Sequence, residues 1–383
     1  STSFAMMGWQ VRVLSGPQSW CYDLRMYPIN CQFYTASQPA WESMLNECKK
    51  AKKSIYIEQY IFAGDIIGNQ FIEVLKEKVK QGVIVRLLID TVGSYDFYNS
   101  DIPEELRKLG IEIKFFNIVS PWRIHYFKLW FFRDHRKIMI IDDTVGFTGG
   151  LGIRDNMTDW RDTTAMLQGV VVDEMKDSFL EMWKIADKKG FIARIRIIRK
   201  NLMRKDFINN DPYFSNRYLY RTIIDAIRGA KKYIYITTPY YIPDRRLSRV
   251  LHLAIQRGVE IKIIIPQKFD VVLIGSGVES NLDKILKSGV KVFRYQPRFI
   301  HAKTIVIDGE WVSFGSLNMD NLSIRYNHEA NVVTLDKKCI DGITEHFLSD
   351  LKECKELSLE EWRNRPLTAK IREFFIARIS WIL

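Results

Sequence analysis

The chain has 383 residues, with 57 Lys and Arg against 45 Asp and Glu, a formal net charge of +12 and a pI near 9.3. Its 47% hydrophobic and 27% charged residues exclude intrinsic disorder, collagen and coiled coil, and the length suits roughly two to three domains. The basic balance calls for an anionic partner: nucleic acid, an anionic membrane surface or a phosphate-bearing substrate.

Residues 1–30 read as an N-terminal extension. Ser1 to Gly8 has neither the basic start nor the long apolar run of a signal peptide. From about Cys31 the order is regular. A helix ends at Ala51-Lys52-Lys53, and a β-branched and aromatic strand follows over 54–62. A helix over 69–81 leads through Gln81-Gly82-Val83 into an apolar strand over 83–90. After a further helix, Leu109-Gly110-Ile111 opens another strand. Then come His135-Arg136-Lys137, a strand over 145–148 and Gly149-Gly150.

The same landmarks recur in the same order. Ala230-Lys231-Lys232 precedes a strand over 233–238, a helix over 246–257 and an apolar strand over 259–266. Ser288-Gly289-Val290, His301-Ala302-Lys303, a strand over 311–314 and Gly315-Ser316 follow. Strands that are apolar on both faces, alternating with helices, predict an α/β sheet covered on both sides. The chain is therefore two similar α/β halves, 31–200 and 201–357. The seam lies near 191–212, where Arg194 to Lys205 holds six basic residues and no acid.

After Pro366, residues 367–383 read as an amphipathic helix within a C-terminal segment, 358–383. Its apolar side suits a membrane surface, the globular body or an oligomer interface. No charge-free apolar stretch approaches the ~20 residues that span a bilayer. The five cysteines (Cys21, Cys31, Cys48, Cys339, Cys354) form no CxxC and no zinc spacing, so neither a disulfide framework nor a metal site is indicated.

Two residues apart on a strand, His135 and Lys137 share a face, as do His301 and Lys303. Asp142 and Asp308 have the opposite parity and read as structural. Two His and two Lys suit a phosphodiester. The lysines neutralise its non-bridging oxygens. One neutral His attacks phosphorus to form a phosphohistidine. The other protonates the leaving oxygen, then deprotonates an incoming alcohol or water. This chemistry needs no metal ion and no cofactor. The backbone at Gly149, Gly150 and Gly315-Ser316 suits phosphate contact, with Ser316 and Asn318 as side-chain donors. The remaining His125, His252, His328 and His346 read as surface, substrate loop or core.

The repeats differ most before the motif. Gly110 precedes His135 by 25 residues, whereas Gly289 precedes His301 by 12. The extra segment, 117–134, carries Trp122, Tyr126, Phe127, Trp130, Phe131 and Phe132, interleaved with Arg123, Lys128 and Arg133. That mixture suits an acyl-chain or bilayer interface. Stacked single-stranded bases and an insertion tucked into the core are the alternatives.

The paired motifs resemble the phospholipase D superfamily, whose signature is H-x-K-x4-D-x6-G-S-x-N, and within it the bacterial cardiolipin synthases of the phospholipase D type. The resemblance runs from about Cys31 to Leu357 and includes Asp159-Trp160-Arg161-Asp162, Thr237-Thr238-Pro239-Tyr240-Tyr241 and Asn327-His328-Glu329-Ala330-Asn331. It implies two phospholipase D-like α/β/α halves, each a mixed sheet flanked by helices, packed as a pseudo-twofold dimer around one shared active site. It implies His135 as nucleophile and His301 as acid/base. An acid downstream orients each His: Asp162 lies 27 residues after His135, and Glu329 lies 28 after His301. The first copy departs from the signature, with Gly150 in place of Ser and no Asn at the spacing of Asn318. Many bacterial cardiolipin synthases carry N-terminal membrane helices, and this sequence resembles members without them. The activity implied is phosphatidyl transfer between phospholipids such as phosphatidylglycerol, by a peripheral enzyme on the cytoplasmic face of an anionic membrane. Hydrolysis to phosphatidic acid is the alternative. A nuclease acting on single strands is a third reading, and two motifs in one chain count against a nucleic-acid substrate.

Overall fold

The computed structural model describes residues 29–118, 131–187, 206–212 and 217–365. The seam at 200/201, the 119–130 part of the insertion and the helix expected over 367–383 lie outside these residues. Within them the chain forms two mixed sheets of matching topology, as the resemblance implies.

The first half runs β1 (Asn30–Ala36), α1 (Ser37–Lys50), β2 (Ser54–Gln59), α2 (Ile66–Lys80), β3 (Ile84–Asp90), α3 (Tyr95–Tyr98), α4 (Ile102–Lys108) and β4 (Glu112–Phe116). It continues with β5 (Ile138–Ile141), β6 (Val145–Gly149), β7 (Arg161–Gln168) and α5 (Val170–Ala186). The strand order is β1-β7-β6-β5-β2-β3-β4. β2, β3 and β4 are parallel, joined by helical crossovers, and the rest pair antiparallel. The α2 crossover starts where Asp65 accepts the Gly68 amide at 2.9 Å. It turns back at Gly82, whose φ of +85° suits glycine.

The second half repeats this plan. It has β8 (Phe207–Asn210), α6 (Tyr218–Gly229), β9 (Tyr233–Thr237), α7 (Arg245–Gln256), β10 (Glu260–Pro266), α8 (Val272–Lys287) and β11 (Lys291–Tyr295). β12 (Thr304–Ile307), β13 (Trp311–Gly315), α9 (Asn321–Arg325), β14 (Glu329–Thr334) and α10 (Lys337–Lys352) follow. Short β15 (Cys354–Glu356) and α11 (Leu359–Arg363) come last. The order β15-β11-β10-β9-β12-β13-β14-β8 is the first sheet's order reversed, with β15 added at the edge. Trp362 of α11 is buried in the second core, so packing of this half extends into the segment assigned to the C-terminal helix.

The halves meet through a shared core. Tyr56, Phe116, Ile138 and Phe179 of the first half pack in one cluster with Val306, Val312, Phe314 and Ile340 of the second. Helix α5 touches its own sheet and β8, and α10 touches its own sheet and β1. Each half thus lends a helix to the other's edge strand. That exchange is the pseudo-twofold relation, and it brings the ends of β5 and β12 together.

Candidate active site

Each His-x-Lys segment stands immediately before a buried strand, β5 or β12, and not within it as the sequence spacing suggested. The Asp of each motif closes the strand's far end. Asp142 accepts backbone N–H groups of Lys52, Lys53 and Ser54 at 2.7, 2.7 and 2.9 Å. Asp308 accepts those of Lys231, Lys232 and Tyr233 at 2.7, 2.7 and 2.8 Å. Both Asp residues sit at positive φ, 52° and 56°, a turn that Asp tolerates. The repeated Ala-Lys-Lys segments are thereby explained: their amides tie the start of β2 or β9 to the end of β5 or β12.

The reactive ends of the motifs face each other across the halves. His135 Nδ1 lies 2.9 Å from Glu329 Oε1, and His301 Nδ1 lies 2.8 Å from Asp162 Oδ2. This corrects the sequence expectation. Spacing paired Asp162 with His135 and Glu329 with His301, but each acid orients the ring of the opposite half. The backbone enforces the exchange. His135 N–H donates to His328 O at 3.0 Å, and His301 N–H donates to Arg161 O at 2.7 Å. The residue before each acid is thus bridged to the segment carrying the other half's His. Two buried ion pairs brace those bridges: Arg133 with Asp90 and Arg161 with Asp350, both at 2.6 Å.

The environment is buried and basic. Lys137 and Lys303 are buried, each donating from Nζ to the carbonyl of its own motif His at 2.6 Å. Burial brings Lys137 down to about 8 and Lys303 to about 7. Burial, with Lys303 beside it, holds His301 at about 4, and burial with Lys137 and Lys303 holds His135 well below its usual value. Both rings are neutral at pH 7. The two acids differ. Burial pushes Glu329 up to about 8, against attraction to Lys137 and the Ser316 hydrogen bond. For Asp162 burial is outweighed by His301, Lys303 and the Thr163 amide, and its carboxyl stays below the usual range.

Other expected residues take more specific places. Ser316 Oγ donates to Glu329 Oε2 at 2.5 Å and accepts from the Ala330 amide at 3.0 Å, so its hydroxyl is committed to the acid. Asn318 is buried, and its Oδ1 makes no hydrogen bond. Gly149 and Gly315 are required by crowding: a Cβ there would stand 2.3 Å from Thr163 O and 2.4 Å from Ala330 O. A Cβ on Gly150 would stand 2.5 Å from Asp162 Oδ1, which accounts for glycine in place of the signature's Ser. Of the aromatic insertion, Trp122, Tyr126, Phe127 and Trp130 lie outside the described residues, as do Arg123 and Lys128. Phe131 is 54% exposed. Arg133 is not an interface cation, because it is buried against Asp90.

Two aromatic neighbours were not anticipated. The Tyr60 ring packs edge-on against His135 at 4.9 Å, with Lys137 Nζ 5.4 Å from its centroid. Trp160 packs against His301 at 4.7 Å. Their signal was position: Tyr60 directly follows β2, and Trp160 precedes Arg161-Asp162.

Residues 44–183 and 223–351 match the family described as "Cardiolipin synthase, PLD-like domain". The chain belongs to this family. It is 33% identical over 364 residues to a cardiolipin synthase of Clostridium perfringens, covering 91% of this chain and 75% of the relative. It is 31% identical over 379 residues to one of Geobacillus kaustophilus, covering 94% and 75%. Among solved structures, phosphatidylserine synthase of Haemophilus influenzae superposes with a TM-score of 0.72 at 15% identity, covering 94% of this chain and 98% of that one. That likeness concerns the fold.

Proposed function

We propose that this cardiolipin synthase-type phosphatidyltransferase works through a covalent phosphohistidine on His135, with phosphatidylglycerol as donor and acceptor. The observation that carries the reading is the crossed pair of His–carboxylate contacts enclosing two buried lysines. It supports one reaction centre built from both halves.

The donor's phosphodiester lies between Lys137 and Lys303, whose ammonium groups bind its non-bridging oxygens. With Nδ1–H of His135 assigned as donor to Glu329, the Nε2 lone pair is free to attack phosphorus. The N–P bond forms and the P–O bond to glycerol breaks. His301 supplies the proton that glycerol takes. Its ring is neutral in the free site and takes up a proton from solvent as the donor binds, because the bound phosphate anion offsets the Lys303 repulsion and ionised Asp162 stabilises the imidazolium. In the second step His301 removes the proton from the hydroxyl of a second phosphatidylglycerol. That oxygen attacks phosphorus, His135 leaves, and the product is cardiolipin.

Among the described residues no helix is long and apolar enough to cross a membrane. Exposed Phe131, together with the aromatic and basic sequence of residues 122–130, supports docking on the cytoplasmic face of an anionic bilayer. Purified protein mixed with phosphatidylglycerol vesicles is expected to yield cardiolipin and glycerol in equal amounts. Phosphatidic acid as the sole lipid product would make the enzyme a hydrolase. Failure to co-sediment with anionic vesicles would remove the docking surface.

A further inference from the structure

Cys31 and Cys339 are 308 residues apart, one on the edge strand β1 of the first sheet and the other in the first turn of α10. The fold brings their sulfurs to 2.7 Å, with the Cys339 thiol donating to Cys31. The approach is fixed by packing. Phe33, two residues along β1, packs edge-on against Phe314 at 5.1 Å and His346 at 5.7 Å. A Cβ on Gly342, one turn along α10, would stand 3.0 Å from the Phe33 ring. Strand and helix therefore hold the two thiols in contact across the boundary between the halves.

The other described cysteines are placed differently. Cys48 Sγ lies 3.7 Å from Met139 Sδ, and Cys354 donates to Asp350 O at 3.1 Å. Burial pushes both thiols up to about 12. The Cys31 thiol is lowered instead, by the hydrogen bond from Cys339, helped by Lys338 and against its own burial. Cys31 is half-buried and Cys339 fully buried, so an external reagent meets Cys31 first.

We propose that Cys31 and Cys339 form a reversible disulfide that staples the two halves together. The Cys31 thiolate attacks a low-molecular-weight disulfide and expels one of its thiolates, giving a mixed disulfide. Cys339, losing its proton, attacks the Cys31 sulfur and expels the second thiolate. The two protein thiols lose two electrons and two protons, and the small disulfide is reduced to two thiols. The Asp336 carboxylate lies close enough to complete a three-ligand metal site with these sulfurs. Geometry disfavours that use. Two thiolates on one tetrahedral zinc, each at about 2.3 Å, stand about 3.7 Å apart. Asp336 Oδ1 is also occupied, accepting the Lys338 and Cys339 amides at 3.0 and 3.1 Å.

The test uses the full chain, incubated with oxidised glutathione or with dithiothreitol, alkylated and mapped by peptide mass. The expected result is one linked peptide pair carrying Cys31 and Cys339, together with a thermal midpoint several degrees above that of the reduced chain. Closing so long a loop restricts the unfolded chain. Both signals should vanish in Cys31→Ser and in Cys339→Ser, and both should persist in Cys48→Ser. Three results would overturn the proposal: Cys31 stopping at the glutathione adduct, a linked pair with an unchanged midpoint, or stoichiometric zinc that a chelator removes from the reduced chain.

Discussion

The two halves share one topology and surround chemically equal histidines with unequal neighbours. In the first half the position after the β6 glycine is Gly150 and the acid is Asp162. In the second they are Ser316 and Glu329. A short acid packed against a missing Cβ is matched by a longer acid that has room for a hydroxyl. The central motif residue differs too. Arg136 is buried, bound to Glu58 at 2.6 Å and Ser178 at 2.7 Å, whereas Ala302 is packed among Ile264, Phe293 and Phe347. Because the acids cross, each histidine combines one half's motif with the other half's acid. His301 faces an ionised Asp162, which stabilises an imidazolium. His135 faces a Glu329 held near neutrality, which does not. The pseudo-twofold symmetry of the backbone thus carries an asymmetric pair, and the asymmetry suits the proposed division of labour, with His135 attacking and His301 taking and returning a proton.

The largest test of that division removes each ring. His135→Ala and His301→Ala should each lower cardiolipin formation by ~10³-fold or more. A donor with a nitrophenol head group separates them, because its leaving group needs no proton. His301→Ala should then release a burst of nitrophenol equal to the enzyme present, and His135→Ala should release none. A burst from His135→Ala alone would exchange the two roles.

Next in size are the acids. Asp162→Asn removes the charge that supports a protonated His301, and should cost ~10²- to 10⁴-fold by analogy with the orienting acid of a catalytic triad. Glu329→Gln replaces a group already close to neutral and should cost about tenfold. The nitrophenol donor should restore the burst in Asp162→Asn. Equal losses in the two variants would mean that the acids are interchangeable.

The crossing was the part of the site that spacing misassigned, and the reason is physical. Asp162 and Glu329 stand almost equally far behind their own histidines. A pseudo-twofold axis exchanges the acids without changing either interval, so no count along the chain distinguishes the arrangements. The fold was far more legible. Ala-Lys-Lys, the Gly-Val turns and His-x-Lys recur because each performs the same local task twice. Strand parity led to the structural reading of Asp142 and Asp308, but both sit in the turn that ends the strand, where they hold the Ala-Lys-Lys amides. Partners far along the chain were invisible. Arg133 reads as one more cation among aromatics until Asp90, 43 residues earlier, is found against it. Cys31 and Cys339 give no signal at all until β1 and α10 are packed.

The lysines set a third, smaller effect. Each must be charged to bind phosphate. Lys303 loses its proton as pH rises through about 7 and Lys137 through about 8. For the free enzyme, kcat/KM should therefore be full below these values and fall above them, by about tenfold per pH unit for each lysine lost. On the acid side the loss should come from protonation of His135, the attacking ring, which burial with Lys137 and Lys303 beside it holds well below the usual histidine range. A profile flat to pH 9 would show that both ammonium groups keep their protons in spite of burial.

The smallest expected effect bears directly on why the halves diverged. Gly150→Ser restores the family signature in the first half. Yet the new Cβ would stand 2.5 Å from Asp162 Oδ1, so the carboxylate must move off His301. Activity should fall by about tenfold while the overpacked site loses about 1–3 kcal/mol of stability. Combining it with Asp162→Gly removes the clash and the acid together, and should recover the stability without the activity. The mirror change, Ser316→Gly, deletes a hydroxyl from Glu329 and leaves its contact with His135 intact, so it should cost about threefold or less. If Gly150→Ser proved as mild as Ser316→Gly, the first half would have room for the signature residue, and the short acid would not be what keeps glycine at position 150.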